Sequence, residues 1–360
     1  MSKRKSSLVV CASLSFLIAA GCKSPVFNEA AWQEKVESTH HSQLYEPHEK
    51  DGLYFTPWID MDVGTPFRFF RWKFSPALSY TQKEENFLPV VRSDAESRIG
   101  KNGERDFLLW IGHGSYLIKT GKQVWLLDPI FSRRALLPAR KTAPALTAEA
   151  VNRLFPKVNV VISHGHYDHL DENSIKQLAK EHTFYVPLGV GQYILRWKPG
   201  AKVVEMDWWQ RHKIASGFEL HSLPAQHWSM RALEGPNRSL WASYMIVTPK
   251  STIYFGGDSG YFVGYREFGN KYPKIDYALL PTTAYHPRWF MHKAHMNAEE
   301  AIQAFQDLKA RYFVPTQWGT FRLGDNPPGL PMLELRRLIR SRQLDSSRYL
   351  ELEIGELLNL

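Results

Sequence analysis

Three imidazoles and a carboxylate fall within six consecutive positions in the middle of this chain: His164, Gly165, His166, Tyr167, Asp168 and His169. Neutral imidazole nitrogen and carboxylate oxygen are the ordinary non-thiolate ligands of zinc and its first-row neighbours, so residues of these types at this density point to a metal site. A structural surface loop has no need for so many ligands in so few positions. A helix would scatter them around its axis. At the end of a strand the chain can turn, so that His164 and His166 face one metal while Asp168 and His169 face a neighbouring point. The apolar run from Val158 to Ile162, just before the cluster, supplies such a strand.

The surrounding pattern supplies a scaffold. Phe107 to Ile111, Tyr116 to Ile118 and Val124 to Leu127 read as short strands and Ser174 to Lys180 as a helix. Phe218 to Leu223, Leu240 to Val247, Thr252 to Phe255 and Tyr312 to Val314 read as later strands. Asn297, with Glu300 three residues on and Ala301, Phe305 and Leu308 in apolar spacing, predicts a capped amphipathic helix. No internal repeat or low-complexity tract interrupts the pattern.

The first residues read as an export signal. Lys3, Arg4 and Lys5 precede an apolar stretch, Leu8 to Ala20, that is short for a membrane span. Ala19-Ala20-Gly21-Cys22 resembles a bacterial lipobox, which would make Cys22 the lipidated first residue of the mature chain. Lys23 after it fits sorting to an outer membrane. The only cysteines are Cys11 and Cys22, so no disulfide or thiolate metal site is expected in the mature domain, and any metal must use nitrogen and oxygen ligands. Three of the +9 formal charges leave with Lys3, Arg4 and Lys5. The remaining basic excess suits anionic phospholipid or phosphate-bearing substrates. There is no long basic run, and no nucleic-acid partner is expected.

The motif H-x-H-x-D-H is the signature of the metallo-β-lactamase superfamily, and the chain resembles that superfamily from about residue 105 to about 322. More narrowly it is similar to the N-acylphosphatidylethanolamine-hydrolysing phospholipase D branch and its bacterial relatives. That likeness is carried by Phe55-Thr-Pro-Trp58, Trp110-Ile-Gly-His-Gly114, Asp128-Pro-Ile-Phe-Ser132, Asp207-Trp-Trp209 and Gln226-His-Trp228. Gly256-Gly-Asp-Ser-Gly260, Ala284-Tyr-His-Pro-Arg-Trp-Phe-Met291 and Trp318-Gly-Thr-Phe321 complete the order. The fold the resemblance implies is α/β, a four-layer αββα sandwich of the metallo-β-lactamase type.

The resemblance also implies a ligand set. His227 matches the third imidazole for the metal held by His164 and His166, and Asp258 matches a carboxylate bridging two metals, with Asp168 and His169 on the second. The last ligand of the pattern is a histidine before Trp-Gly-Thr-Phe, where this chain has Gln317. An amide oxygen is a weaker donor to zinc than imidazole, so one tightly bound zinc and a second, weaker ion (zinc, manganese or iron) are expected. Asp128 matches the aspartate that orients the histidine cluster from behind. Asp168 and Asp258 are the candidates to accept a proton, and His295 matches a histidine near the substrate. Arg288 either holds a phosphate or pairs with an acid, and His113 is left without an assigned role.

The expected organisation is a lipoprotein signal at 1–21, a polar tether at 22–50, an aromatic extension packed on the core at 51–104, the hydrolase core at 105–325 and a C-terminal extension of helix and strand at 326–360. The expected function is a metal-dependent phosphodiesterase of phospholipase D type, acting on N-acylphosphatidylethanolamine-like phospholipids and anchored by lipid at Cys22 to the outer membrane of a bacterium. Two alternatives stand beside it. One is a lactonase or other ester or amide hydrolase, because the same metal chemistry can attack carbonyl carbon. The other is a non-catalytic envelope protein on a hydrolase scaffold whose second metal site has degraded.

Overall fold

The structure, a computed structural model, describes residues 25–62, 66–76, 78–232 and 234–360. The signal, Cys22 and the lipobox lie outside them. Two mixed sheets stack face to face. The first is built from β1 (Phe107–Gly112), β2 (Ser115–Thr120), β3 (Gln123–Leu127), β4 (Asn159–Val161), β5 (Thr183–Pro187) and β6 (Lys202–Met206). The second is built from β7 (Arg211–Ala215), β8 (Phe218–Leu223), β9 (Ser243–Val247), β10 (Thr252–Phe255), β11 (Tyr277–Pro281) and β12 (Tyr312–Thr316). β13 (Leu357–Asn359) returns to the first sheet and pairs antiparallel with β1. The stretch after 325 therefore completes the core sheet as well as extending it.

Each sheet changes character along its width. β1, β2 and β3 form antiparallel hairpins, whereas β3 to β6 run parallel. In the second sheet β7 to β10 are antiparallel and β10 to β12 parallel. Parallel neighbours need a crossover, which helices supply on the outer faces. Alternation along β1 shows the layering: Phe107, Leu109 and Ile111 pack with Val151, Ile175 and Ile194 of the outer helices, while Leu108 and Trp110 belong to the other core, with Tyr244 and Tyr254 of the second sheet. This is the αββα order.

Local chemistry sets several boundaries. Asn297 accepts from Glu300 N at 2.8 Å and Glu300 accepts from Asn297 N at 2.9 Å, so the expected capping box opens a helix over Ala298–Asp307. The helix read at Ser174 to Lys180 is Glu172–Gln177, because Asp171 caps it through Ser174 N at 2.9 Å. The strand read from Leu240 begins at Ser243, since Leu240 N and Ala242 N bond instead to Leu188 O and Ser163 O in the first sheet's loops.

The expected polar tether is corrected over its described part. Glu29–Glu37 forms helix α1, whose Trp32 and Val36 are buried in the main core, and Leu44 beyond it is buried too. Trp32 Nε1 donates to Glu300 Oε1 at 2.8 Å. An apolar face among charged neighbours is enough to dock a short helix. In the aromatic segment Trp58, Ile59 and Trp72 are buried. The helix α2 (Pro66–Phe74), by contrast, leaves Phe67 75% and Phe74 73% exposed. Among the described residues no helix is long and apolar enough to cross a membrane.

Candidate metal centre

Loops from both sheets meet at one edge of the sandwich. Asp128 follows β3, Ser163 to His169 follow β4, His227 follows β8, Asp258 follows β10, Gln317 follows β12, and His113 sits in the turn between β1 and β2. The sandwich thus brings together side chains as far apart in the chain as His113 and Gln317.

His164, His166, His227 and Asp258 form one set of donors, and His113, Asp168 and His169 another. His164 Nε2 lies 2.9 Å from His166 Nδ1, which lies 3.2 Å from His227 Nε2. Asp258 Oδ2 is 3.8 Å from His164 Nε2 and 3.6 Å from His227 Nε2. Its other oxygen, Oδ1, is 3.3 Å from His169 Nε2. One carboxylate therefore reaches both sets, while Asp168 Oδ2 stands 3.2 Å from His169 Nε2.

Outer partners fix which ring nitrogen faces inward. His227 Nδ1 donates to the carbonyl of Ala294 at 3.2 Å, leaving Nε2 bare. His169 Nδ1 donates to Asp128 Oδ2 at 2.6 Å. Ser163 Oγ donates to Asp128 Oδ2 at 2.5 Å and so accepts from His164 Nδ1 at 2.9 Å. Asp128 Oδ1 takes Ser163 N at 2.6 Å. Asp128 thus orients the cluster from behind, in the manner of a carboxylate–histidine–metal chain. The result is a crowd of inward lone pairs about 3 Å apart, to which His166 contributes Nδ1, with His169 Nε2 and Asp258 Oδ1 buried and without a hydrogen-bond partner. Bare lone pairs at that spacing repel unless a cation lies among them, so the donor set fits a divalent metal.

Electrostatics prepares the ligands for that role. Burial, reinforced by neighbouring imidazoles, pushes His164 and His227 well below the usual histidine range, and burial takes His166 down to about 4, so all three are neutral near pH 7. Burial alone would raise the carboxyls of Asp168 and Asp258, but His169, with its charge and hydrogen bonds, leads the interactions that hold both well below the usual range. His169, despite burial, is raised by Asp258, Asp168 and Asp128 around it.

Close backbone approach explains two glycines. A Cβ on Gly165 would stand 2.7 Å from Ser229 Oγ, and one on Gly257, at φ +57°, would meet Ser163 Cβ at 2.6 Å. Arg231, which the motif reading passed over, holds the histidine loop shut: its Nη1 donates to the carbonyls of Gly165 and Leu170 at 2.8 and 2.9 Å, and its guanidinium lies 4.1 Å from the Tyr167 ring centre. The only sequence signal for it is position, four residues after His227. His295 stands beside the site, its ring 5.3 Å from that of His227. Burial lowers its pKa, and Nδ1 has no protein partner.

Of the two roles open to Arg288, the structure shows the pairing with acids: it is buried, bonded to Glu29 at 2.8 and 3.0 Å and to Glu300 at 2.7 Å, so it ties α1 to the helix Ala298–Asp307. Gln317 is fully buried at the expected loop, where its Nε2 donates to Gly257 O at 2.9 Å and its Oε1 has no protein partner.

Residues 124–318, more than half of the chain, match the family described as Beta-lactamase superfamily domain. The chain belongs to that family and has the metallo-β-lactamase fold. An uncharacterised protein of Mycobacterium tuberculosis is 37% identical over 238 residues, covering 63% of this chain and 62% of that protein. The chain thus spans 62% of the length of this mycobacterial relative. N-acyl-phosphatidylethanolamine-hydrolyzing phospholipase D 1 of Caenorhabditis elegans is 29% identical over 292 residues, 76% of this chain and 80% of its own. Among solved structures, a possible metal-dependent hydrolase of Veillonella parvula superposes with a TM-score of 0.59 at 14% identity, covering 72% of this chain and 100% of that one, which shows the shared fold.

Proposed function

We propose that the chain is a zinc-dependent phosphodiesterase of the phospholipase D type, acting on N-acylphosphatidylethanolamine-like phospholipids. The observation that carries the reading is a candidate metal centre with two adjoining donor sets, together with an exposed aromatic and basic helix that packs on the segment leading to His295. α2 presents Phe67, Phe69, Phe70 and Phe74 to solvent together with Arg71 and Lys73, while Arg68 pairs with Asp62, and the helix contains no acid. Trp72 of α2 stacks on Phe290 at 4.9 Å, in the segment that leads to His295. An apolar and cationic helix of this kind lies in the interface of an anionic bilayer. The relative from Caenorhabditis elegans, named for hydrolysis of such a lipid, supports the same substrate class.

A divalent ion in this set supplies Lewis acidity, polarising a phosphoryl oxygen and bringing the pKa of a water from about 15.7 toward about 7. The protein's part is to hold His164, His166 and His227 neutral by burial, to aim the imidazoles through Asp128, Ser163 and Ala294, and to receive the proton. Asp168 and Asp258, kept ionised, are the acceptors. His295, neutral and free at Nδ1, hydrogen-bonds the departing head-group alcohol. Attack of water on phosphorus and breakage of the bond to the head group would release phosphatidic acid and an N-acylethanolamine. Acyl chains on Cys22 would hold the enzyme on the outer membrane.

The test is turnover of N-acylphosphatidylethanolamine vesicles by zinc-loaded protein, followed by mass spectrometry of both products beside a panel of lactones and amides. Release of both lipid products supports the reading. Turnover of lactones with the phospholipid untouched would replace it with a lactonase. No turnover of any substrate by the metal-loaded protein would favour the non-catalytic envelope role.

A further inference from the structure

His113 lies fifty-one residues before the histidine cluster, yet the hairpin turn between β1 and β2 puts its imidazole against Asp168 and His169. We propose that His113 is a ligand of the second metal centre and supplies the imidazole that Gln317 cannot. The inference concerns the metal site alone and does not depend on the substrate proposed above.

The spacing of the donors argues for it. Four atoms about 2.0–2.1 Å from a tetrahedral zinc stand about 3.3 Å from one another. His113 Nε2 is 3.0 Å from Asp168 Oδ2, Asp168 Oδ2 is 3.2 Å from His169 Nε2, and His169 Nε2 is 3.3 Å from Asp258 Oδ1. His113, Asp168 and His169 lie mutually close, and Asp258 Oδ1 adjoins them through His169, a mixture of imidazole and carboxylate suited to a divalent first-row metal. His169 Nε2 and Asp258 Oδ1 are buried and have no hydrogen-bond partner, so they are free to ligate. His113 Nδ1 likewise has no protein acceptor. A cation seated between His113 Nε2 and Asp168 Oδ2 would replace the proton they share, and with the ring proton on Nδ1 the Nε2 lone pair would face the site.

The backbone is built around this side chain. His113 holds φ +52° between Gly112 and Gly114, a conformation that glycine adopts more readily, so the strain is tolerated where an imidazole is wanted. Thr320 Oγ1 accepts from His113 N at 2.9 Å, and His113 O accepts from Trp110 Nε1 at 2.8 Å and from Gln317 N at 3.2 Å. The turn is thereby fixed to the core on one side and to the Gln317 loop on the other. Gln317 spends its amide N–H on Gly257, bracing the loop that carries Asp258. Its role is to position that loop.

The full chain, loaded with zinc and dialysed, should hold about two ions per chain by elemental analysis. His113→Ala should hold about one, with an unchanged circular-dichroism spectrum, while Gln317→Ala should keep both. Two ions retained at unchanged affinity in His113→Ala, or loss of an ion in Gln317→Ala alone, would overturn the proposal, the latter in favour of Gln317 Oε1 as ligand. If both variants lose an ion, or if His113→Ala fails to fold, His113→Cys loaded with cobalt decides. A direct bond gives a thiolate-to-cobalt charge-transfer absorption, which a merely structural role cannot produce. Its absence in the folded, cobalt-loaded variant would sink the assignment.

Discussion

Trp58 Nε1 donates to Gln226 Oε1 at 2.9 Å, joining the N-terminal extension to the residue just before His227. Gln226 then binds the rest of the site together: its N–H meets Ser259 Oγ at 3.0 Å, its carbonyl accepts from Gly260 N at 2.9 Å and its Nε2 donates to Lys293 O at 2.8 Å. The extension is therefore part of what aims His227 and Asp258. Trp58→Ala removes this bond together with an indole stacked on Phe262 at 5.3 Å. A loss of about 3–5 kcal/mol in stability by urea unfolding, with weaker metal binding, is expected. Unchanged stability would mean that the extension only lies on the surface.

His164, His166 and His227 should behave as a unit. Replacing any one with alanine is expected to abolish most hydrolysis and to cost the first ion, while the far-ultraviolet circular dichroism stays native. Metal content and turnover near wild type in all three variants would contradict the assignment.

Asp128→Asn tests orientation from behind the ligands. The amide keeps the volume but loses the charge that holds His169 Nδ1–H and Ser163. Zinc affinity in a chelator competition should fall by about 10- to 100-fold with little change in fold. An affinity within a factor of two of wild type would leave Asp128 a packing residue.

Acid should weaken the fold through His292. Burial under Phe27 and Trp32, aided by the nearby charges of Arg288 and Lys293, pushes its imidazole from 6.5 down to about 4. The unfolded chain takes up this proton at about 6.5 and the folded chain only near 4, so unfolding binds a proton throughout that interval. The contribution is complete above pH 6.5 and is lost as pH falls toward 4, about 3 kcal/mol in all. In chelator-treated protein, His292→Leu should flatten the stability profile between those limits by up to about 1.4 kcal/mol per pH unit. Equal slopes would show that His292 is not held neutral.

Membrane attachment should have two separable parts. Cys22→Ala is expected to move the protein from membrane to soluble fractions, because several acyl chains are needed for stable anchoring. In that background, changing Phe67, Phe70 and Phe74 to serine should abolish residual binding to vesicles containing anionic phosphatidylglycerol. Fractionation that neither change alters would rule out both devices.

How much of this was legible in the sequence depended on distance along the chain. The cluster from His164 to His169 pointed to a candidate metal site because its donors are local and a strand end turns them toward one point. The capping box of Asn297 and Glu300 was equally local, since its hydrogen bonds span three residues. Resemblance extended that reading to His227, Asp258 and Asp128. The tertiary structure decided the rest. His113 reaches Asp168 only because β1 and β2 close a turn at the same edge as β4, and Arg288 is spent on Glu29 and Glu300 because α1, rich in charge yet carrying Trp32, docks on the core. Sequence spacing shows which donors a short segment can present. Which distant side chains share a buried point is set by sheet register and packing, whose hydrogen bonds join residues that no local pattern relates.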